Sequence, residues 1–110
     1  MLVFDVTNEF KLIKTFKTKA AVRSLCQFDS NLLVCGENEG YIDIIFYPTL
    51  ELTVGRRFEK IGHIYQIQPT SIKNEMVVCS YTGVHFVKIF IDKITGAMTL
   101  VLSETCYITE

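Results

Sequence analysis

The sequence predicts an all-β chain of antiparallel four-stranded units, and three observations predict it. Apolar stretches are short, rich in Val, Ile, Phe and Tyr, and separated by Asn, Asp, Gly, Thr or Pro, which is the punctuation of strands and turns. No window of about ten to twelve residues sets apolar positions three and four apart, as a helix buried on one face requires. The same pattern returns after about 43 residues. That period suits small antiparallel sheets, which cannot bury both faces alone and stack on their neighbours.

In chain order, the opening stretch VFDVTNEFKLIKTF (residues 3–16) is two apolar runs around a polar turn, so the chain enters the repeat with the third and fourth strands of a unit. This partial unit covers 1–18. A full unit over 19–60 follows, with strands expected at Val22–Phe28, Asn31–Gly36, Tyr41–Phe46 and Glu51–Phe58. The second full unit, 61–110, has strands at Ile64–Gln68, Glu75–Ser80, Val84–Ile91 and Ala97–Ser103, and Thr105–Thr109 continues the last or begins another. The repeat rests on two alignments. The opening stretch lies without a gap over IFYPTLELTVGRRF, 42 residues on, pairing Val3 with Ile45, Phe4 with Phe46 and Leu12 with Val54. At an offset of 43, NLLVCGENEGYIDII lies over NEMVVCSYTGVHFVK, pairing Asn31 with Asn74, Val34 with Val77, Gly40 with Gly83 and Tyr41 with Val84.

The totals narrow the functional classes. A chain of 110 residues fits one small domain that buries roughly two-thirds of its unfolded surface. Eleven basic and twelve acidic residues are interspersed, and the one basic cluster, Arg56-Arg57 near Lys60, is offset by Glu59. Neither nucleic acid nor an anionic membrane is therefore an expected partner. No apolar run approaches the ~20 residues of a membrane helix, and Asp5 in a strand-like opening argues against a leader. The chain is expected to be intracellular, cytoplasmic or nuclear.

Chemistry-bearing residues form no expected constellation. Cys26, Cys35, Cys79 and Cys106 contain no CxxC and sit among apolar neighbours, so they are expected to be reduced, small core residues. His63 and His85 have no second His or paired Cys at ligand spacing, and no metal site is expected. A nucleophile–base pair of Cys79 and His85 is conceivable on neighbouring strands, but Cys79 beside Val77-Val78 is expected to be buried and inert. The six glycines match neither phosphate-loop spacing and are expected in turns, with Gly40 at positive φ. No catalytic residue and no cofactor follow.

VFDVTNEFKLIKTF and IFIDKITGAMTLVL resemble the third strand, turn and fourth strand of a WD-repeat blade. Phe4-Asp5 and Ile91-Asp92 take the place of Trp-Asp, Thr95-Gly96 ends the turn, and Gly62-His63 matches the Gly-His before a first strand. The chain departs from the pattern in lacking Trp, in Tyr47 where Asp is usual, and in Ala20-Ala21 where Gly-His is usual. Thr82 or Glu39 precedes the turn glycine where the family has Asp. The resemblance implies about two and a half blades of a β-propeller, in which His63 would help lock the loop before its strand to the strand turn. Closed propellers have about 4 to 8 blades. The expectation is a piece of a longer protein, a truncated gene product, or a subunit that completes its ring with other chains. By resemblance, one loop face would bind protein segments through Glu37, Asn38 and Glu39, through Tyr81 and Thr82, and through Lys17, Lys19, Glu59 and Lys60. The function implied is a non-catalytic protein-interaction scaffold; the alternative is a structural part of an enzyme or ligand-binding propeller whose site lies on other blades.

Overall fold

Strand follows strand along the computed structural model, which describes residues 2–5, 11–15 and 17–107, the first two stretches and residue 107 as backbone alone. β1 (Leu2–Asp5) pairs with β2 (Lys11–Thr15). β3 (Val22–Gln27), β4 (Leu32–Glu37), β5 (Tyr41–Phe46) and β6 (Glu51–Arg57) form one four-stranded sheet in chain order. β7 (Ile64–Pro69), β8 (Glu75–Ser80), β9 (Gly83–Ile91) and β10 (Met98–Tyr107) form a second, also in chain order. Every pairing is antiparallel. The chain is all-β, in two blade-like sheets preceded by a hairpin. The turn expected at 6–10, Phe16 and the residues beyond 107 lie outside the described residues.

The sheets repeat down to their irregularities. Each inner hairpin has a register shift early in its first strand, at Val22/Ser24 and at Ile64/Gln66. All three outer hairpins carry an extra residue in the last strand, leaving Ile13, Thr53 and Ser103 unpaired. The backbone bonds that close the loops recur too: Phe28 N–H to Leu32 O (2.8 Å) matches Thr70 to Glu75 (3.1 Å), and Tyr47 to Asn31 (2.7 Å) matches Ile89 to Asn74 (2.8 Å).

These equivalences correct the sequence alignment. Cys79 pairs with Val84 as Gly36 pairs with Ile42, so Val84 answers to Ile42, and Tyr41 answers to Gly83. The offset falls from 43 to 42 because the β8–β9 turn is one residue shorter than the β4–β5 turn. Likewise Phe4 answers to Ile45 and Leu12 to Leu52, displaced from the gapless match, because two strands joined by a bulged hairpin need not keep one offset. Asp92 is not the counterpart of Tyr47. That place belongs to Ile89, and β9 runs on before the Asp92–Ala97 turn, closed by Ala97 O accepting from Asp92 N–H at 2.8 Å.

The core lies between the two sheets. Val34, Ile42 and Ile44 of the first meet Ile64, Ile67, Met76, Val78, Val87 and Ile89 of the second, with Phe58 and Ile61 of the connecting segment closing one end. Gly36 is where the sheets come closest: a Cβ there would stand 2.7 Å from both Ile64 Cγ2 and Ile67 Cδ1. Ile67 N–H also donates to Ser24 Oγ across the gap (3.1 Å).

The cysteines divide by strand alternation. Cys35 is fully buried and Cys26 half-buried, while Cys79 and Cys106 are exposed. The expectation of four core thiols fails at the last two because Val78 takes the inward position on β8 and turns Cys79 outward. Cys79 and Cys106 both pair with Val84, one from each side of β9, so they share the outward face. His85 pairs with Val78 and faces the core, so Cys79 and His85 stand on opposite faces and cannot act together.

Candidate functional site

The β4–β5 turn is one tight loop at Asn38–Gly40, and two residues in it take left-handed backbone, Glu39 at φ 66° and Gly40 at φ 83°. Left-handed geometry costs a residue with a Cβ roughly 1–2 kcal/mol, so Glu39 needs holding in place. Three bonds do this. Glu39 N–H donates to His63 Nδ1 (3.1 Å), Arg57 Nε donates to Glu39 O (3.1 Å), and Phe58 N–H donates to Gly40 O (2.8 Å). A Cβ on Gly40 would collide with the Phe58 carbonyl, which is why glycine stands there.

The β8–β9 turn is anchored to the same connecting segment. Tyr81 N–H donates to His63 O (3.0 Å), and the Thr82 hydroxyl lies 3.0 Å from both Lys60 O and Ile61 O. The expected lock between the loop and the turn is present, but its side-chain donor is Thr82. His63 contributes its carbonyl to that lock and turns its ring to Glu39 of the other sheet. Because Nδ1 accepts the Glu39 N–H, the hydrogen of a neutral imidazole sits on Nε2.

Between these two anchored turns lies a cleft of about 440 Å³, lined by Glu39, Arg57, Glu59, Gly62, His63 and Tyr81. Tyr81 is 70% exposed. Its backbone is fixed by the His63 carbonyl while its ring projects at the cleft edge. Arg57 stands over the Tyr41 ring at 5.7 Å, and Lys19 over the same ring at 5.8 Å, so Tyr41 carries a cation–π pair.

Of the residues expected on the loop face, Glu39, Glu59 and Tyr81 meet in this cleft. Asn38 is half-buried, and its N–H holds Ala21 O (3.0 Å). Thr82 is occupied by the lock described above. Lys60 lines a neighbouring groove of about 340 Å³ with Arg56, Phe58 and Leu102. Lys17 is exposed, and neither it nor Lys19 lines the cleft. Glu37 is a correction: it ends β4 with its side chain fully buried. The wall residues Arg57, Gly62 and His63 were absent from the expected set, although Gly62-His63 stood out in the sequence for its position before a strand.

Glu37 and His85 belong to a second polar arrangement, on the buried face of each sheet. In the repeat, Glu37 answers to Ser80 and Asp43 to His85. In the second sheet, His85 Nε2 lies 3.0 Å from Ser80 Oγ and 2.9 Å from Thr82 Oγ1, and its Nδ1 lies 3.1 Å from Thr105 Oγ1. A neutral ring with its hydrogen on Nε2 satisfies this set, and burial holds the His85 pKa below its ordinary value. In the first sheet, Glu37 Oε1 accepts Ala20 N–H (3.2 Å), and Oε2 is buried with no hydrogen-bond partner among the described residues. Burial, and then the neighbouring Asp43 carboxylate, push Glu37 up to about 7. Two different polar pairs thus fill one structural position.

Among the described residues, no three His, Cys, Asp or Glu side chains come together as a cation site, and no helix is long and apolar enough to cross a membrane. Compared with known proteins, the chain matches no family model and no curated sequence. Fold and site define it as an all-β chain of repeated antiparallel sheets with a cleft between two anchored turns.

Proposed function

We propose that the chain is a segment of a WD-like β-propeller that serves as a non-catalytic scaffold for protein partners inside the cell. The observation that carries this reading is the cleft between the sheets, where an exposed tyrosine on a fixed turn stands over polar walls. An aromatic ring held by its backbone offers contact area at little entropic cost, and such residues concentrate binding energy at interfaces. Glu39, Arg57, Glu59 and His63 supply donors and acceptors around it, as a peptide backbone with mixed side chains requires. Further blades, from a longer chain or from other chains, complete the ring in this reading. Affinity capture of partners by the intact chain tests it. Tyr81→Ala is expected to lose capture by about tenfold, about 1.4 kcal/mol, with its melting temperature nearly unchanged. Equal capture by the variant would remove the cleft from the reading, and a large loss of stability would make Tyr81 structural.

A further inference from the structure

β6 ends on two arginines that leave the strand in different directions. Arg56 pairs with Ile42, which faces the core, so its side chain departs on the core side. It reaches across to β10, where Nη1 donates to Leu100 O (2.6 Å), and its guanidinium lies 4.8 Å from the centre of the Phe58 ring. Arg57, the last residue of the strand, is held by its Nε bond to Glu39 O and by the Tyr41 ring. The chain then folds back on itself, with Ile61 N–H donating to Phe58 O (3.0 Å), and this brings Lys60 to the groove between β6 and β10.

Three cations, Arg56, Arg57 and Lys60, therefore line that groove of about 340 Å³, beside apolar surface from Phe58, Val101 and Leu102. Glu59, which offsets the cluster in the sequence, lines it too but forms an ion pair with none of the three, and neither does any other carboxylate among the described residues. Both terminal nitrogens of Arg57 and the ammonium of Lys60 have no hydrogen-bond partner among the described residues. Each guanidinium is tied at one nitrogen and stands over a ring, so its remaining donors are oriented before a ligand arrives and less freedom is lost on binding. Cations that are positioned but unpaired make a site for an anion. The groove is bounded on both sides by described sheets, so it does not depend on what stacks against the far face of either.

We propose that this groove binds a phosphorylated side chain on an extended segment of a protein partner. Three cations against one carboxylate leave a double positive charge. A phosphomonoester, at about −1.5 to −2 near neutral pH, neutralises it, whereas one carboxylate leaves half of it uncompensated. The phosphoryl oxygens accept from the guanidinium forks and the ammonium, and Phe58, Val101 and Leu102 give the residues on either side of the phosphate an apolar surface that a free anion does not use. Nucleic acid presents its phosphates in a long row, and here the cations are confined to one groove on a chain of net charge −1. The inference goes beyond the reading of the cleft and does not rest on it, since no part of it needs Tyr81.

Degenerate peptide libraries fixed on a central phosphoserine, phosphothreonine or phosphotyrosine, each run beside its unphosphorylated twin over the immobilised chain, test it. At least one phosphorylated library is expected to be retained about tenfold over its twin. Arg56→Gln is expected to remove that preference and Lys60→Gln to lower it by about threefold, while Arg56→Lys, which keeps the charge but not the planar fork, keeps only part of it. Equal retention of every library and its twin overturns the proposal, as does a preference that survives both Arg56→Gln and Lys60→Gln. Displacement of the bound peptides by an equal concentration of inorganic phosphate would mean an adventitious ion only, and tighter retention of a random-sequence DNA duplex would make the ligand a nucleic acid; either result also overturns it. Far-UV circular dichroism accompanies each variant; should Arg56→Gln lose its β signal, Lys60→Gln, at an exposed residue, decides.

Discussion

Single residues set the two polar arrangements on the buried faces, and they titrate in opposite senses. Glu37 has its pKa raised from 4.5 to about 7, so the folded chain holds a proton that the unfolded chain releases. Its contribution to stability is fully present below pH 4.5 and is lost as pH rises through about 7. His85 is depressed below 6.5, so its contribution is present above that pH and is lost as pH falls through the folded value. Glu37→Gln, which keeps the Ala20 bond but cannot ionise, is expected to gain stability relative to wild type as pH rises from 4.5 to 7. Denaturant melts at a series of pH values check this; an unchanged difference across the range would show that Glu37 does not titrate in that window. Gly40→Val meets both an unfavourable φ and the Phe58 carbonyl, and is expected to cost about 2 kcal/mol or more. A melting temperature equal to wild type would contradict the turn geometry.

At the scale of elements, the leading strand β7 carries the inter-sheet contact. Ile67 is 1% exposed and packs on Gly36, so Ile67→Ala is expected to destabilise by about 2–5 kcal/mol through lost burial and the cavity left behind. Leu25→Ala, at the equivalent but exposed position of β3, is expected to cost well under about 1 kcal/mol. Parallel urea melts measure both, and equal losses would deny that only one of the two strands is seated. The strands and their order were legible in the sequence, because Asn, Gly, Asp or, between β5 and β6, Pro48 marks each turn and β-branched residues recur in the runs. The bulges were not: Ile13, Thr53 and Ser103 have no side-chain feature common to all three, and what makes them alike is a missed backbone pairing. Facing was also illegible wherever apolar residues ran on both faces, as at Val77-Val78-Cys79. The resemblance placed Glu37 on the loop after Gly36, and only the backbone shows that the strand continues through it. Three members of the cleft, Glu39, Glu59 and Tyr81, were named through the resemblance; its other wall depended on which ring nitrogen met which turn, a relation between sheets that no local pattern encodes.

For the whole molecule, one shared core joins the two sheets. Ile42 and Ile44 of the first and Val78 and Val87 of the second are all fully buried in it, so neither sheet keeps its apolar face covered if the other opens. Thermal unfolding is expected to be a single cooperative transition, with tyrosine fluorescence and far-UV circular dichroism giving the same midpoint. Two resolved steps would mean that each sheet is stable alone. At one register the two sheets carry different polar groups, a carboxyl pair in the first and an imidazole–hydroxyl set in the second.

The position of Cys79 and Cys106 on either side of Val84 has a consequence for handling the protein. Neighbouring strands lie about 4.8 Å apart, so thiols two strands apart have Cα atoms nearly 10 Å from each other, beyond the reach of about 7 Å that a disulfide spans. The folded chain cannot protect either exposed thiol by joining it to the other. Oxidation therefore leaves its record between molecules, and a gel run without reductant becomes a count of how often two of these faces have met.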